Sequence, residues 1–276
     1  MDRLLVLVAL AAPALALGQP TPPSPSPAAP AQAAAAKAPR SLLDEIDARY
    51  KERDAPGAMD AMGKKLEDAV KQWPDDYEVL WRMSRHYFWL SDDPDLAKKE
   101  KSRIGKAGWE VGDRATAANP ARVEGWHYAA AGVGNYALGI GVLTALAQGI
   151  EGKFKDRLSH AEAIDPRFES GGIQTAWGRF WYELPWPKYS AKRSRAALGR
   201  ALEMNPDNVR ARVYLADLDE KEDEPAQAKA ELQKAIASPP GRYDAPEERR
   251  WQAVARKKLA APADAGKGPE VPQGGG

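Results

Sequence analysis

A chain of 276 residues, 43% hydrophobic and 29% charged, holds enough apolar material for one or two folded domains. Its formal net charge of +1 supplies no overall field to gather nucleic acid or an anionic membrane surface. The absence of cysteine excludes disulfides, thiolate zinc sites, cysteine nucleophiles and a lipid-modified cysteine.

Residues 1–18, MDRLLVLVALAAPALALG, have the layout of a secretory signal peptide: Arg3, an apolar run from Leu4 to Leu17, and small-x-small cleavage sites around Ala14, Ala16 and Gly18. The apolar run is short for a bilayer span; left uncleaved, it is an anchor instead. Residues 19–40 are Pro, Ala and Ser with almost no charge, which reads as an extended linker. A helical domain is expected over 41–260 and a disordered tail over 261–276.

The helical domain opens at Ser41-Leu42-Leu43-Asp44, which resembles a capping box, with Ile46 and Tyr50 on one face. Pro56-Gly57 makes a turn, and Met59, Met62, Leu66, Ala69, Val70 and Trp73 form the next apolar stripe. Residues 76–90 predict an aromatic-rich helix. Asp92-Asp93-Pro94 then turns into a charged helix running to Ala118. No stretch shows strand alternation long enough to count.

Tyr128 to Ile150 is 23 residues without a charge, long enough to span a bilayer but interrupted by five glycines, Asn135, Thr144 and Gln148. A buried helix or helix-turn-helix fits it better. Gly132, Gly134, Gly139 and Gly141 leave room either for close backbone packing or for one wall of an apolar ligand cavity. Under the cavity reading, Gly139→Leu or Gly141→Leu removes an apolar ligand while leaving the fold intact, and Tyr136 joins those glycines as a candidate contact. Trp177 to Tyr189 holds six aromatics in 13 residues. Trp177, Phe180, Trp181 and Leu184 share a helix face and suit a core between repeats. Trp186 and Tyr189 fall in a loop stiffened by Pro185 and Pro187 and suit a groove. Trp177, Arg179, Trp181, Trp186 and Tyr189 are therefore candidate ligand or partner contacts. A basic cluster follows, containing Lys192 and Arg193, with Ser190 as a plausible N-cap. Positive charge in a first helical turn opposes the helix dipole, so it implies an anionic partner, acidic neighbours in space, or simply a solvated face. Pro246 to Leu259 completes the domain as a capping helix, with Trp251, Val254, Ala255 and Leu259 inward and Glu247, Arg249, Arg250, Arg256 and Lys257 toward solvent.

The ruler for the whole domain is the stretch from Asn205 to Pro240. Two helices meet at Asp223-Glu224-Pro225, and the second carries Ala228, Leu232, Ala235 and Ile236 on one face. Pro206 to Pro240 is 34 residues, the period of a tetratricopeptide repeat (TPR). Its ending, Ala, four residues, then Pro, recurs at Ala69/Pro74, Ala115/Pro120, Ala161/Pro166, Ala201/Pro206 and Ala235/Pro240. The fold class expected is all-α: a TPR-like solenoid of about five helix pairs with a C-terminal capping helix, its small residues at the helix crossings.

Catalysis finds no support. His86, His127 and His160 lack ligand spacing with carboxylates, GVGNYALGIG lacks the strand and the Lys-Ser/Thr of a phosphate loop, and no nucleophile elbow occurs. No enzyme activity, catalytic residue, metal or cofactor is expected. The order Val123-Glu124-Gly125-Trp126-His127-Tyr128, the glycine-rich helix, Asp165-Pro166 and Gly178-Arg179-Phe180-Trp181-Tyr182-Glu183-Leu184-Pro185 resembles the TRAP-transporter-associated (TatT-like) TPR proteins over roughly residues 42–260. That resemblance implies a periplasmic helical bundle that can assemble with copies of itself and works with a substrate-binding subunit delivering small organic or hydrophobic acids. Without cysteine the lipid anchor of those proteins is not made here. Two functions follow as expectations: a periplasmic or secreted scaffold or adaptor for a partner protein, or a transport accessory binding a small apolar or organic-acid ligand. Neither a nucleic-acid partner nor a membrane span after signal cleavage is expected.

Overall fold

A computed structural model describes residues 37–241 and 243–261. The signal-like residues 1–18, most of the linker and the tail from 262 lie outside it. Ala38 already belongs to the folded part: it is buried and its amide donates to Asp76 Oδ2 at 2.7 Å.

Five helix pairs follow in order. They are α1 (Arg40–Tyr50) with α2 (Ala58–Gln72), α3 (Tyr77–Ser91) with α4 (Lys98–Ala118), α5 (Val123–Ile140) with α7 (Ile150–Ile164), α8 (Gly172–Glu183) with α9 (Ala191–Met204), and α10 (Val209–Lys221) with α11 (Pro225–Ala237). A short α6 (Val142–Ala147) is inserted in the third pair, a 3-10 turn (Phe168–Ser170) precedes α8, and α12 (Ala245–Ala260) ends the domain. Among the described residues there is no strand.

The five alanines of the ruler, Ala69, Ala115, Ala161, Ala201 and Ala235, are all 0–1% exposed, and Leu66, Leu158, Leu198 and Leu232 are buried with them. Small side chains at these points let paired helices approach closely. The first four alanines also accept the amide that ends their helix, from Trp73, Asn119, Asp165 and Asn205 at 2.8–3.0 Å. The proline one residue on then holds the chain extended. Starts are set as locally. Asp76, Ser190 and Asn208 cap α3, α9 and α10 with their side chains, and Pro225 opens α11. Ser41 is not a cap: α1 begins at Arg40 with Pro39 as its N-cap and no side-chain bond, and Ser41 lies within the helix.

The tightest contact joins α4 to α5. A Cβ on Gly132 would meet the Trp109 amide nitrogen at 2.4 Å, and one on Gly139 would meet that of Ser102 at 2.4 Å. From the other side, a Cβ on Gly105 would meet the Tyr136 amide nitrogen at 2.6 Å and one on Gly112 the Ala129 Cα at 2.7 Å. Each helix thus carries glycines seven residues apart, on one face, against the partner's backbone. Gly132 and Gly139 serve close packing and do not wall a cavity. Gly139→Leu therefore strikes the fold, contrary to the expectation of an intact one. Gly141 is different, with φ +90 and nothing within 4 Å of a Cβ; it breaks α5 from α6.

The capping helix also departs from expectation. Trp251 and Ala255 are buried and Val254 and Leu259 pack on their cluster, but Glu247 and Arg250 turn inward. Arg250 donates to the Trp89 carbonyl at 2.9 Å and lies 3.2 Å over the Trp89 ring. Arg249 pairs with Asp54 at 2.6 Å and Lys257 with Asp95 at 2.6 Å, while Arg53 pairs with Asp244. The last helix is therefore tied to the turns of the first two pairs, and the concave side of the solenoid is closed.

Gly132→Val is expected to destabilise the domain by about 3 kcal/mol through overpacking. Gly152→Ala, on α7 with nothing within 4 Å of its Cβ, is expected to gain about 0.5–1 kcal/mol from helix propensity. Urea unfolding followed by tryptophan fluorescence checks both; equal midpoints for the two variants would mean that α4 and α5 are not locked.

Candidate functional site

Closure of the concave side leaves a cavity of about 550 Å³, lined by residues of α1, α3 to α8, α10 and α12. That size is ordinary for a small-molecule site. Its long wall is one face of α5: His127, Ala131, Gly134 and Leu138 stand at i, i+4, i+7 and i+11. At 1.5 Å per residue this face runs about 16 Å. A second face of α5, about 120° round the helix, carries the glycines locked to α4.

The two ends of the wall differ in chemistry. Near Leu138 the lining is mainly apolar, with Val142 and Leu146 of α6, Ile150 and Phe154 of α7, and Phe180 of α8, interrupted by Asn135 and Glu151. Phe154 and Phe180 stack at 5.0 Å between ring centroids. Beside His127 the lining is polar, with Tyr128, Glu169 and Arg210 next to it, and Arg210 in turn holds Asp92 and Glu247. Tyr128 donates to Glu169 at 2.6 Å, and burial, then Glu169, push its hydroxyl pKa well up.

The cavity's arginines are bound within the protein. Arg210 pairs with Asp92 at 2.7 Å and Glu247 at 3.0 Å and lies over the Phe88 and Trp251 rings. Burial opposes its charge, but Asp92 and Glu247 outweigh that and raise its pKa. Arg179 pairs with Glu183 at 2.5 Å and Asp217 at 2.6 Å. Burial lifts the Glu247 carboxyl to about 7, against the pull of Arg210. Two lining side chains keep a buried nitrogen without a hydrogen bond among the described residues: His127 Nδ1 and Trp251 Nε1. Such atoms are unusual in a native interior and mark places for water or a ligand to bond.

Of the candidate contacts, Arg179 lines this cavity and the others lie elsewhere. Tyr136 packs on Trp109 and bonds Gln148 at 3.3 Å. Trp177 and Trp181 line a separate shallow depression with Glu162 and Arg200, where Trp177 donates to Glu162 at 2.8 Å. Trp186 is 88% exposed, and Tyr189 donates to Glu222 at 2.6 Å. Lys192 and Arg193 are exposed, Arg193 lying 4.6 Å over Trp181. Elsewhere in the basic cluster acidic neighbours are present, with Lys188 on Glu151 and Arg195 on Asp219 and Glu224. Sequence reasoning missed Tyr50, Asp92, Glu169, Arg210 and Glu247, which lie far apart in the chain. The backbone offers one clue at Glu169 and Ser170: both are left-handed, with φ 52 and 49, a conformation that costs a non-glycine residue on the order of 1 kcal/mol. Among the described residues no cluster of three His, Asp or Glu side chains is placed to hold a metal ion.

Residues 190–255 match the tetratricopeptide repeat family. The fold is similar to that of a thermophilic TPR protein of Thermus thermophilus, with a TM-score of 0.60 at 20% identity, over 80% of this chain and 99% of that one. No curated protein matches the chain at a significant level. The architecture is thus an all-α, TPR-like solenoid, and the family match falls on its C-terminal part.

Burial lowers the pKa of His86 and His127 to about 4, with Arg210 adding to the effect on His127. Unfolded histidines titrate near 6.5, so between those values the unfolded chain binds more protons than the folded one. Their contribution to stability is complete above pH 6.5 and is lost as pH falls toward 4, while Glu247 acts in the opposite sense. The urea midpoint is expected to fall over this window, and His127→Gln is expected to flatten the slope by about one proton. An unchanged slope would show that His127 is not held neutral.

Proposed function

We propose that this protein is a non-enzymatic binding protein of the cell envelope, whose closed helical frame holds a small elongated ligand. One observation carries the reading: a single face of α5 walls a cavity of about 550 Å³ whose lining is polar around His127 and mainly apolar around Leu138. A ligand of matching polarity displaces water from the apolar end and meets the unbonded nitrogens at the other. The signal-like residues 1–18 support an exported address, and the likeness to TRAP-associated TPR proteins supports a role in handing ligand to a transport system.

A second reading, a scaffold for a partner protein, is favoured by the surface. Repeat solenoids commonly bind other proteins, and Trp186 and Leu143 are exposed at 88% and 72%. Large apolar side chains held in water suit docking.

Native mass spectrometry of protein purified from its own envelope separates the two. Ala131→Trp, set in the middle of the cavity wall, is expected to abolish a retained small molecule, and Trp186→Ser to leave it. Loss of a co-purifying protein in Trp186→Ser, with no small molecule in either variant, would favour the scaffold.

A further inference from the structure

We propose that the polar end of the cavity recognises a positively charged head group, so that the ligand is an aliphatic amine and not a carboxylic acid. This rests on the cavity reading above. The central residue is Glu169. It is exposed in the cavity lining, and the bond its carboxylate accepts is from Tyr128 at 2.6 Å. Among the described residues no cation pairs with it. The left-handed backbone at Glu169 and Ser170 holds it there, a conformation that persists only where the surroundings impose it.

A second group stands beside the same glycine. A Cβ on Gly172 would come to 2.8 Å from Glu169 Cβ and 3.6 Å from His127 Cε1, so Glu169 and His127 both stand close against this glycine, and a side chain here would collide with Glu169. His127 is 7% exposed and its Nδ1 has no hydrogen bond. Burial keeps the ring neutral. A carboxylate, a phenol oxygen and a neutral imidazole, taken as its Nε2–H tautomer, line one stretch of the cavity and suit an ammonium group, which has three N–H donors and no acceptor.

The cations of the cavity point to the same sign. Arg179 and Arg210 are each occupied by two carboxylates. Lys101 donates to the carbonyls of Ser91 and Asp93 at 2.5 and 3.0 Å, and Lys258 pairs with Asp217 at 2.7 Å. A ligand carboxylate could accept from the unbonded Trp251 Nε1, but to gain a cationic partner it would have to break one of these pairs and strand the displaced carboxylate. An ammonium breaks none, and its alkyl chain can follow α5 toward Leu138.

The test is calorimetric titration at pH 7.5 with decylamine, decanoate and 1-decanol, each below its micellar concentration. Decylamine is expected to bind at least roughly tenfold more tightly than the other two, the size of a charge-assisted hydrogen bond. Glu169→Gln is expected to bring decylamine down to decanol without changing decanol, and Glu169→Lys to shift the preference toward decanoate. Thermal melts of both variants confirm folding. Decanoate binding as tightly as decylamine, or an amine preference that survives in both variants, overturns the charge assignment and leaves the cavity in place. No binding by any of the three overturns both.

Discussion

The contact on which the site depends is one from which side chains are missing. α4 and α5 meet backbone to backbone at Gly105, Gly112, Gly132 and Gly139, where any Cβ would lie 2.4–2.7 Å from the partner helix. Interiors are packed too densely to absorb such overlaps without moving a helix. This fixes the rotation of α5 about its own axis. With one face locked to α4, the face bearing His127, Ala131, Gly134 and Leu138 turns toward the centre. Asn135 reinforces the setting by donating to Ser91 at 2.8 Å. The glycines make the cavity without touching it.

Closure of the frame follows a different physics. The repeats pack on one another through buried Ala and Leu, whereas the return of α12 to the first two pairs is made by ion pairs and by an arginine on a tryptophan face. Exposed pairs such as Lys257 with Asp95 contribute little singly and are screened by salt. Buried ones such as Arg210 with Asp92 gain less from attraction than they lose if one partner is removed. The closed state therefore owes its specificity to charge matching and its stability to the repeats.

Much of the frame was legible because its signals are local. An alanine at a crossing and a proline after it lie within six residues, and the ruler taken from Asn205 to Pro240 placed all five buried alanines. The glycines of α5 were visible too, but their purpose was not, because the matching glycines at 105 and 112 sit in a helix that reads as merely charged. The cavity was hidden for a related reason. Its polar end joins Tyr50, Asp92, Glu169, Arg210 and Glu247, and Arg210 reaches Asp92 across 118 residues of sequence. No spacing rule spans that distance. The dense aromatics at 177–189 give a louder local signal, yet Trp186 stands in solvent and Trp181 lies outside the cavity lining.

The inserted helix α6 has only six residues and is bounded by two glycines of positive φ, Gly141 and Gly149. A helix of that length cannot sustain itself in water, because nucleation costs more than so few hydrogen bonds return. Its order is borrowed from what Val142, Ala145 and Leu146 cover. If the cavity takes the occupant proposed above, contacts to Val142, Ala145 and Leu146 would tie its binding to the folding of α6.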